Sequence, residues 1–473
     1  MSRAANAQIS FADWDLVRQG LVLPPLLQAI AEFLDDNETI VDLIRGDLQR
    51  GLKNPATGRR GLTPQQVLRS LVLMRVKNWD YRELCERIAD GLTLRQFTDF
   101  YCQRVPKHDA FNRAFIKLTP RTLKYVNELL VQAAVAMGLE DGSRLRVDTT
   151  VVETDIHHPT DNTLLWDVVR VVTRRVGRLA KALKLRRIKG FRDRRRSARR
   201  RMYEIQRMTT AQRQRHLVGK YRDLIGIAEE VVETARAAVK MSSKMRGKDL
   251  MADLAIDAVR QQIEHYCGLG ERVIDQARRR VLNGEQVANA EKIYSIFEPH
   301  TDLIKRGKVR RPIEFGHKVF LAESAQGLIT QYDVLTGNPS DDIHVVPSLA
   351  RHKRVFGHAP HLYGSDRGFF SEPNVAACVD GDVNVVCIPQ RGGTKTLERQ
   401  AHEKSAEFRQ GQRFRAGIEG RISVLFRGRG MRRCLAEGRE RFELSVAAAV
   451  LANNLLAVAA LLSEQRVRRR KAA

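Results

Sequence analysis

Between Arg144 and Glu153 the chain reads Arg-Leu-Arg-Val-Asp-Thr-Thr-Val-Val-Glu. Polar and apolar residues alternate there, the period of a strand with one buried face. Leu145 and Val147 fall on one side, and Arg146, Asp148 and Thr150 on the other. Helical periodicity flanks this strand. Residues 10–140 read as short helices: Asp36 can cap one, Thr63-Pro64-Gln65-Gln66 opens another, and Asp80 opens a third that stops at Gly91. A further start lies near Lys107-His108-Asp109. Residues 163–290 are helical again. Residues 292–390 turn to strands, with a hairpin of Lys318–Glu323 and Leu328–Val334 about Gly327. A βαβ unit follows: a strand from His361 ending at Asp366, a helix capped by Ser371 and ending near Gly381, and a strand Val383–Ile388. Residues 391–412, polar with paired glycines, read as a mobile loop, and 413–427 as a helix. The fold class is therefore mixed α/β, in a chain of 473 residues that has room for two or three domains.

Charge narrows the function. Lys plus Arg number 82 against 55 Asp plus Glu, a net +27 with a pI near 10.3, which calls for a polyanionic partner, nucleic acid or an anionic membrane surface. The longest apolar stretch, Leu444–Leu462, carries Ser445, Asn453 and Asn454; amides at bilayer depth are costly, so it reads as a core helix. The N-terminal residues lack a basic segment followed by an apolar run, so no secretory signal is expected. Six scattered cysteines without C-x-x-C spacing read as reduced residues of a cytoplasmic protein. Charge is densest from Arg170 to Arg215, with 19 Lys or Arg against Asp193 and Glu204. Such a run is either a solvated face or a phosphate-contacting surface, and on a chain this basic the second is favoured. The N-terminal helices, also basic, suit a helix-turn-helix-like DNA reader as well as a plain bundle.

Three acids stand out by context. Asp148 lies on the polar face of the first strand. Asp366 lies where a strand meets a glycine loop, the usual ligand position in an open α/β sheet. Glu419 lies on a helix between Gly417 and Gly420, whose lack of side chains would let DNA approach. Arg415, four residues earlier, shares its face; Phe414, Ile418, Ile422 and Leu425 form the buried stripe. Phosphodiester cleavage needs an activated oxygen nucleophile and charge compensation at the leaving oxygen, which two hard divalent ions about 3.5–4 Å apart supply, held by carboxylates. Taken singly, each acid is equally an ordinary cap, surface residue or ion-pair partner. His157, His158 and His300 have no partner at zinc spacing, and Gly392-Gly393-Thr394-Lys395 is not a P-loop, so no ATP requirement is expected. No Ser or Cys sits in a nucleophile elbow.

The strings LTPQQVLRSLVLMRVKNWDYRELCERIADGLTLRQF, VDTTVVETDIHHPTDNTLL, SIFEPHTDLIKRGK, EFGHKVFLAES, LYGSDRGFF and FRAGIEGRISVL resemble bacterial insertion-sequence transposases of the IS5, IS1182 and ISNCY group, most closely the ISNCY family. The resemblance covers most of residues 60–460. It implies a helical DNA-binding domain over 1–140 and an RNase H-like catalytic domain over 141–460. It also implies an insertion between the first two acids, a role that the basic helices of 163–290 fit. Residues 461–473 would form a basic tail. The implied catalytic and metal-binding triad is Asp148, Asp366 and Glu419, with two Mg²⁺ ions for which Mn²⁺ can substitute. Relatives carry a tyrosine and an arginine before the Glu and a basic residue seven positions after it. Arg415 matches the arginine, but Gln412 stands for the tyrosine and Phe426 for the basic residue; Arg427 is displaced by about 100° around the helix.

The expected function is a DNA transposase that reads terminal inverted repeats, cuts at the element ends and joins the 3′-hydroxyl to target DNA. Its partners are double-stranded DNA and further copies of the chain, a dimer or larger assembly at the synapsed ends, on the bacterial nucleoid and without a membrane. The expected DNA contacts are Lys77, Arg82 and Arg95 in the N-terminal helices, Arg194, Arg195, Arg196, Arg199, Arg200 and Arg201 in the insertion, and Arg415, Arg421 and Arg427 beside Glu419. Two alternatives remain: a metal-dependent nuclease on the same fold, and a weakened, transposase-derived DNA-binding protein.

Overall fold

The computed structural model describes residues 22–55, 57, 61–305 and 312–472; the helical periodicity over residues 10–21 lies outside them. Two compact units emerge. One comprises the described residues up to Glu153 together with His317 onward; the other is Thr154–Gly316.

Among the described residues of the first unit seven helices precede the sheet: α1 (Pro25–Asp35), α2 (Glu38–Gln49), α3 (Pro64–Lys77), α4 (Tyr81–Asp90), α5 (Leu92–Phe97), α6 (His108–Phe115) and α7 (Pro120–Ala136). Local chemistry sets their starts. Thr63 and Gln66 form a reciprocal capping box at α3, each side chain accepting from the other's backbone N–H at 3.1 Å, with Pro64 where an N–H would be orphaned anyway. Asp80 accepts from the amides of Arg82 and Glu83. Asp36, expected to cap a helix, is the C-cap of α1; Asn37 precedes α2, and its amide turns back to the carbonyl of Phe33 at 2.7 Å.

The sheet of this unit places β4 (Ile329–Val334), β3 (Ile313–Ser324), β1 (Arg144–Thr154), β5 (Leu362–Gly364) and β6 (Val385–Cys387) side by side in that order, with β7 (Arg433–Cys434) also paired to β1. The β3–β4 hairpin is antiparallel about Gly327, whose φ of 84° requires glycine. β5 pairs in parallel with both β1 and β6, as the α13 (Glu372–Asp380) crossover demands. Leu145 and Val147 are buried with Tyr363, Val386 and Ile388 against Val345 and Leu349 of α12 (Val345–Phe356). Arg146 and Asp148 face the other way and stay partly exposed, whereas Thr150, expected on that polar face, is buried.

Residues 391–412 are not one loop. Thr396 caps α14 (Leu397–Lys404) and Ser405 caps α15 (Ala406–Gly428), two starts that the paired glycines obscured. The C-terminal apolar stretch is α16 (Arg439–Ala472), which packs against α1, α3 and α7. Its Arg439–Lys471 span is, among the described residues, the one long and apolar enough to cross a membrane, and 78% of its apolar window is buried. Asn454 is fully buried because it is fully engaged: it donates to Asn127 and to the Ile329 carbonyl, each at 2.8 Å, and accepts from the Ile329 amide at 2.9 Å. The basic tail is no separate element: it continues α16 to Ala472, and Arg466 pairs with Glu32 at 2.5 Å.

The second unit packs α8 (Asp161–Ala182), α9 (Arg195–Gln206), α10 (Thr210–Ser242) and α11 (Leu250–Ala277) around their own apolar core. Gly270 lets α11 close on α8, since a Cβ there would lie 2.7 Å from Val168. β2 (Asp302–Lys305) runs antiparallel to residues 313–316.

Candidate active site

Three elements of the first unit carry the three acids, and α15 decides how they meet. The helix lies across β5 and β6 at unusually close range: a Cβ on Gly411 would overlap the Cys387 sulfur, and one on Gly364 would lie 3.3 Å from Arg415 Cβ. Gln412 fastens it, donating from Nε2 to the carbonyls of Ser365 at 3.2 Å and Cys387 at 2.7 Å. The residue at the expected tyrosine position therefore ties the helix to the ends of two strands. Burial pushes the Cys387 thiol up to about 12, so it is no nucleophile at neutral pH.

Arg415 is where the acids converge. Its Nη2 lies 2.9 Å from Asp148 Oδ2 and 3.8 Å from Asp366 Oδ2, and its Nη1 lies 3.4 Å from Glu419 Oε1. Sequence spacing placed Arg415 on the exposed face with Glu419; instead its side chain is 15% exposed and that of Glu419 69%. The guanidinium points inward, over β1 and β5. The two aspartates are held alike. Asp148 Oδ1 accepts from the Thr149 amide at 2.7 Å, and Asp366 Oδ1 from the Gly368 amide at 2.8 Å. Each therefore has one oxygen fixed by local backbone and the other turned toward the same guanidinium. Among the described residues no three His, Cys, Asp or Glu side chains stand close enough to hold a metal ion as they are. In chemistry alone, three carboxylates are the ligand type that hard divalent cations prefer.

Residues that sequence reasoning missed support this arrangement. Asp341 Oδ1 accepts from Thr149 Oγ1 at 2.9 Å and pairs with Lys318 Nζ at 2.7 Å. A Cβ on Gly368 would lie 2.9 Å from Asp366 Oδ1 and 3.1 Å from Asp341 Oδ2, so glycine is needed between them. Arg146, two residues before Asp148, stacks at 4.7 Å over Phe414 and donates to the Phe414 carbonyl. With Arg421 it grips the fully buried Glu323. No local pattern marks these residues, because their partners lie far off in sequence.

Gly417 differs from expectation. A Cβ there would overlap the Arg146 guanidinium, so this glycine makes room for a side chain of the protein; Gly420 has open space. The expected DNA contacts fall into distinct settings. Lys77 and Arg82 are exposed. Arg95 donates to the carbonyls of Ala89, Tyr101 and Gln103, a structural clamp. Arg421 is tied to Glu323 and, with Arg146, Arg429, Gly327 and Asn453, lines a cleft of about 460 Å³. Arg427 is exposed and bonded to Ser423, while Phe426 packs into the core. In the second unit Arg194 pairs with Glu230, Arg195 with Asp193, and Arg201 with Glu204 and Asp223; Arg196, Arg199 and Arg200 are exposed, Arg200 lying 3.8 Å from Glu204. His157 and His300 are loop residues beside Asp167 and Glu298.

Residues 25–117 match the transposase domain DUF772. That stretch covers α1 through α6 and includes the string LTPQQVLRSLVLMRVKNWDYRELCERIADGLTLRQF, expected from the sequence to bind DNA. No curated protein and no solved structure matches the chain.

Proposed function

We propose that the chain is an insertion-sequence transposase of the ISNCY type, which cuts and joins DNA at a site built from Asp148, Asp366 and Glu419. The observation that carries this reading is the meeting of these acids, drawn from β1, the end of β5 and α15, on the one guanidinium of Arg415. The transposase domain over residues 25–117 gives independent support. An RNase H-like catalytic fold is supported by an antiparallel hairpin on one side of β1, parallel strands on the other, and acids carried on β1, after β5 and on a helix crossing the parallel edge.

Asp148, Asp366 and Glu419 would hold two Mg²⁺ ions, which when bound supply an activated oxygen nucleophile and neutralise charge on the leaving oxygen. The chain's own residues prepare the site. The amides of Thr149 and Gly368 fix one oxygen of each aspartate and leave the second oriented. Lys318 and Asp341 hold the Thr149 side chain beside Asp148. Gln412 keeps α15 in register with the strand ends. Exposed basic residues of the N-terminal helices and of the second unit would hold DNA by its phosphates, and synapsis of two ends calls for two or more copies of the chain.

Strand transfer separates this reading from a nuclease on the same fold. Given a pre-cut element end with a free 3′-hydroxyl, a supercoiled target and Mg²⁺, the wild type should produce joined products, and Asp148→Asn, Asp366→Asn and Glu419→Gln should not. Cleavage without any joining would make it a nuclease instead.

A further inference from the structure

We propose that Arg415 is a removable counter-ion that keeps divalent metal out of the site until a DNA phosphate draws it away. This inference rests on the metal-binding reading of the triad. Both oxygens of Asp148 are engaged, Oδ1 by the Thr149 amide at 2.7 Å and Oδ2 by Arg415 at 2.9 Å. The first contact is to the amide of the adjacent residue on the same strand. The second belongs to a long side chain on a helix and can be given up. Asp366 repeats the pattern, with Oδ1 on the Gly368 amide and Oδ2 toward Arg415.

A divalent ion held by the two aspartates would therefore meet a guanidinium already drawn to their Oδ2 atoms. Two cations within a few ångströms repel strongly in a partly desolvated site. Arg415 is nonetheless poorly satisfied where it is. Its buried Nε has no hydrogen-bond partner among the described residues, and its contacts to Asp366 and Glu419 are long, at 3.8 and 3.4 Å. A phosphate diester offers a guanidinium a bidentate partner in planar geometry, which these contacts lack. DNA arriving at the site thus competes for Arg415 and leaves the acids uncompensated for the metal. Metal affinity and DNA affinity become linked through one side chain, and linkage is reciprocal.

The test is Mn²⁺ binding, read from the electron paramagnetic resonance signal of the free ion, with and without a short DNA duplex carrying the element end. Without DNA, Arg415→Ala should bind Mn²⁺ at least about fivefold tighter than the wild type. Arg415→Gln, which keeps the bulk and removes the charge, should do the same. The duplex should tighten Mn²⁺ binding to the wild type by a similar factor and add little for either variant. That missing DNA effect distinguishes displacement of Arg415 from a general gain in negative charge. Equal Mn²⁺ affinity in wild type and variants, abolished in each background by Asp148→Asn, would overturn the counter-ion role while leaving the metal site standing. Mn²⁺ binding indifferent to Asp148→Asn would overturn both.

Discussion

Arg146 donates from Nε to Glu323 Oε2 at 2.8 Å, and Arg421 meets the other oxygen of the same carboxylate at the same distance. Glu323 is fully buried on β3, so its charge depends on these two partners. Because Arg146 lies on β1 beside Asp148 and Arg421 lies on α15 beside Glu419, this buried ion triad joins the two elements that bring those acids together. Glu323→Ala would leave two partly buried guanidinium groups without their anion. We expect a loss of about 3–5 kcal/mol, seen as a lower urea midpoint, with Mn²⁺ binding weakened in whatever protein remains folded.

Asn454 is a second buried polar tie, between α16, α7 and β4. Asn454→Leu matches the apolar surroundings but orphans the Ile329 amide and one acceptor on Asn127. We expect about 1–3 kcal/mol of destabilisation for each group left unpaired, measured by the same denaturation. An unchanged midpoint would mean that neighbouring groups re-pair.

Much of this fold was legible because local chemistry fixes it. Thr63, Asp80, Ser371 and Gly327 mark helix starts and a turn through their own short-range bonds, and the alternation at Leu145 and Val147 marks a buried strand face. Asp148, Asp366 and Glu419 could be singled out from a resemblance to known transposases. What sequence could not give was the inward turn of Arg415, which depends on α15 lying tight against β5 and β6 through Gly411 and Gln412. Gly417 was misread for the same reason: its partner, Arg146, lies on another element. The expected loop at 391–412 failed because the cap at Thr396 lies three residues beyond the paired glycines, whose loop signal masked it.

His352 gives a pH signature. It is fully buried, its Nε2–H donates to the Gly142 carbonyl at 3.0 Å, and its ring stacks on Phe356 at 4.5 Å. Desolvation lowers its pKa from 6.5 to about 4. A depressed histidine pKa means that the unfolded chain takes up a proton before the native protein does. The stability this site contributes is present in full above about pH 6.5 and is lost progressively as pH falls toward 4, by about 3 kcal/mol in total. His352→Gln should flatten the pH dependence of the urea midpoint across that window by close to one proton; an unaltered slope would assign the acid sensitivity elsewhere.

The basic residues of the second unit should divide by their pairing. Arg196, Arg199 and Arg200 are exposed, Arg200 with a long contact to Glu204 at 3.8 Å, whereas Arg194 and Arg201 are held closely by Glu230, Glu204 and Asp223. Replacing the first three with Ala should lower the slope of log K against log salt by about 0.9 for each phosphate that the variant no longer neutralises, measured by fluorescence anisotropy on duplex DNA. Replacing Arg194 and Arg201 should change that slope less. Equal slopes for the wild type and the triple variant would make this face a solvated surface.

The most direct measurement is cleavage of a labelled duplex carrying one element end, in Mg²⁺, by the wild type and by Asp366→Asn. We expect the wild type to cut at the element end and the variant, folded and still bound to the duplex, to leave it intact. Cleavage by both proteins, or by neither while both bind, would contradict a catalytic site built on Asp148, Asp366 and Glu419.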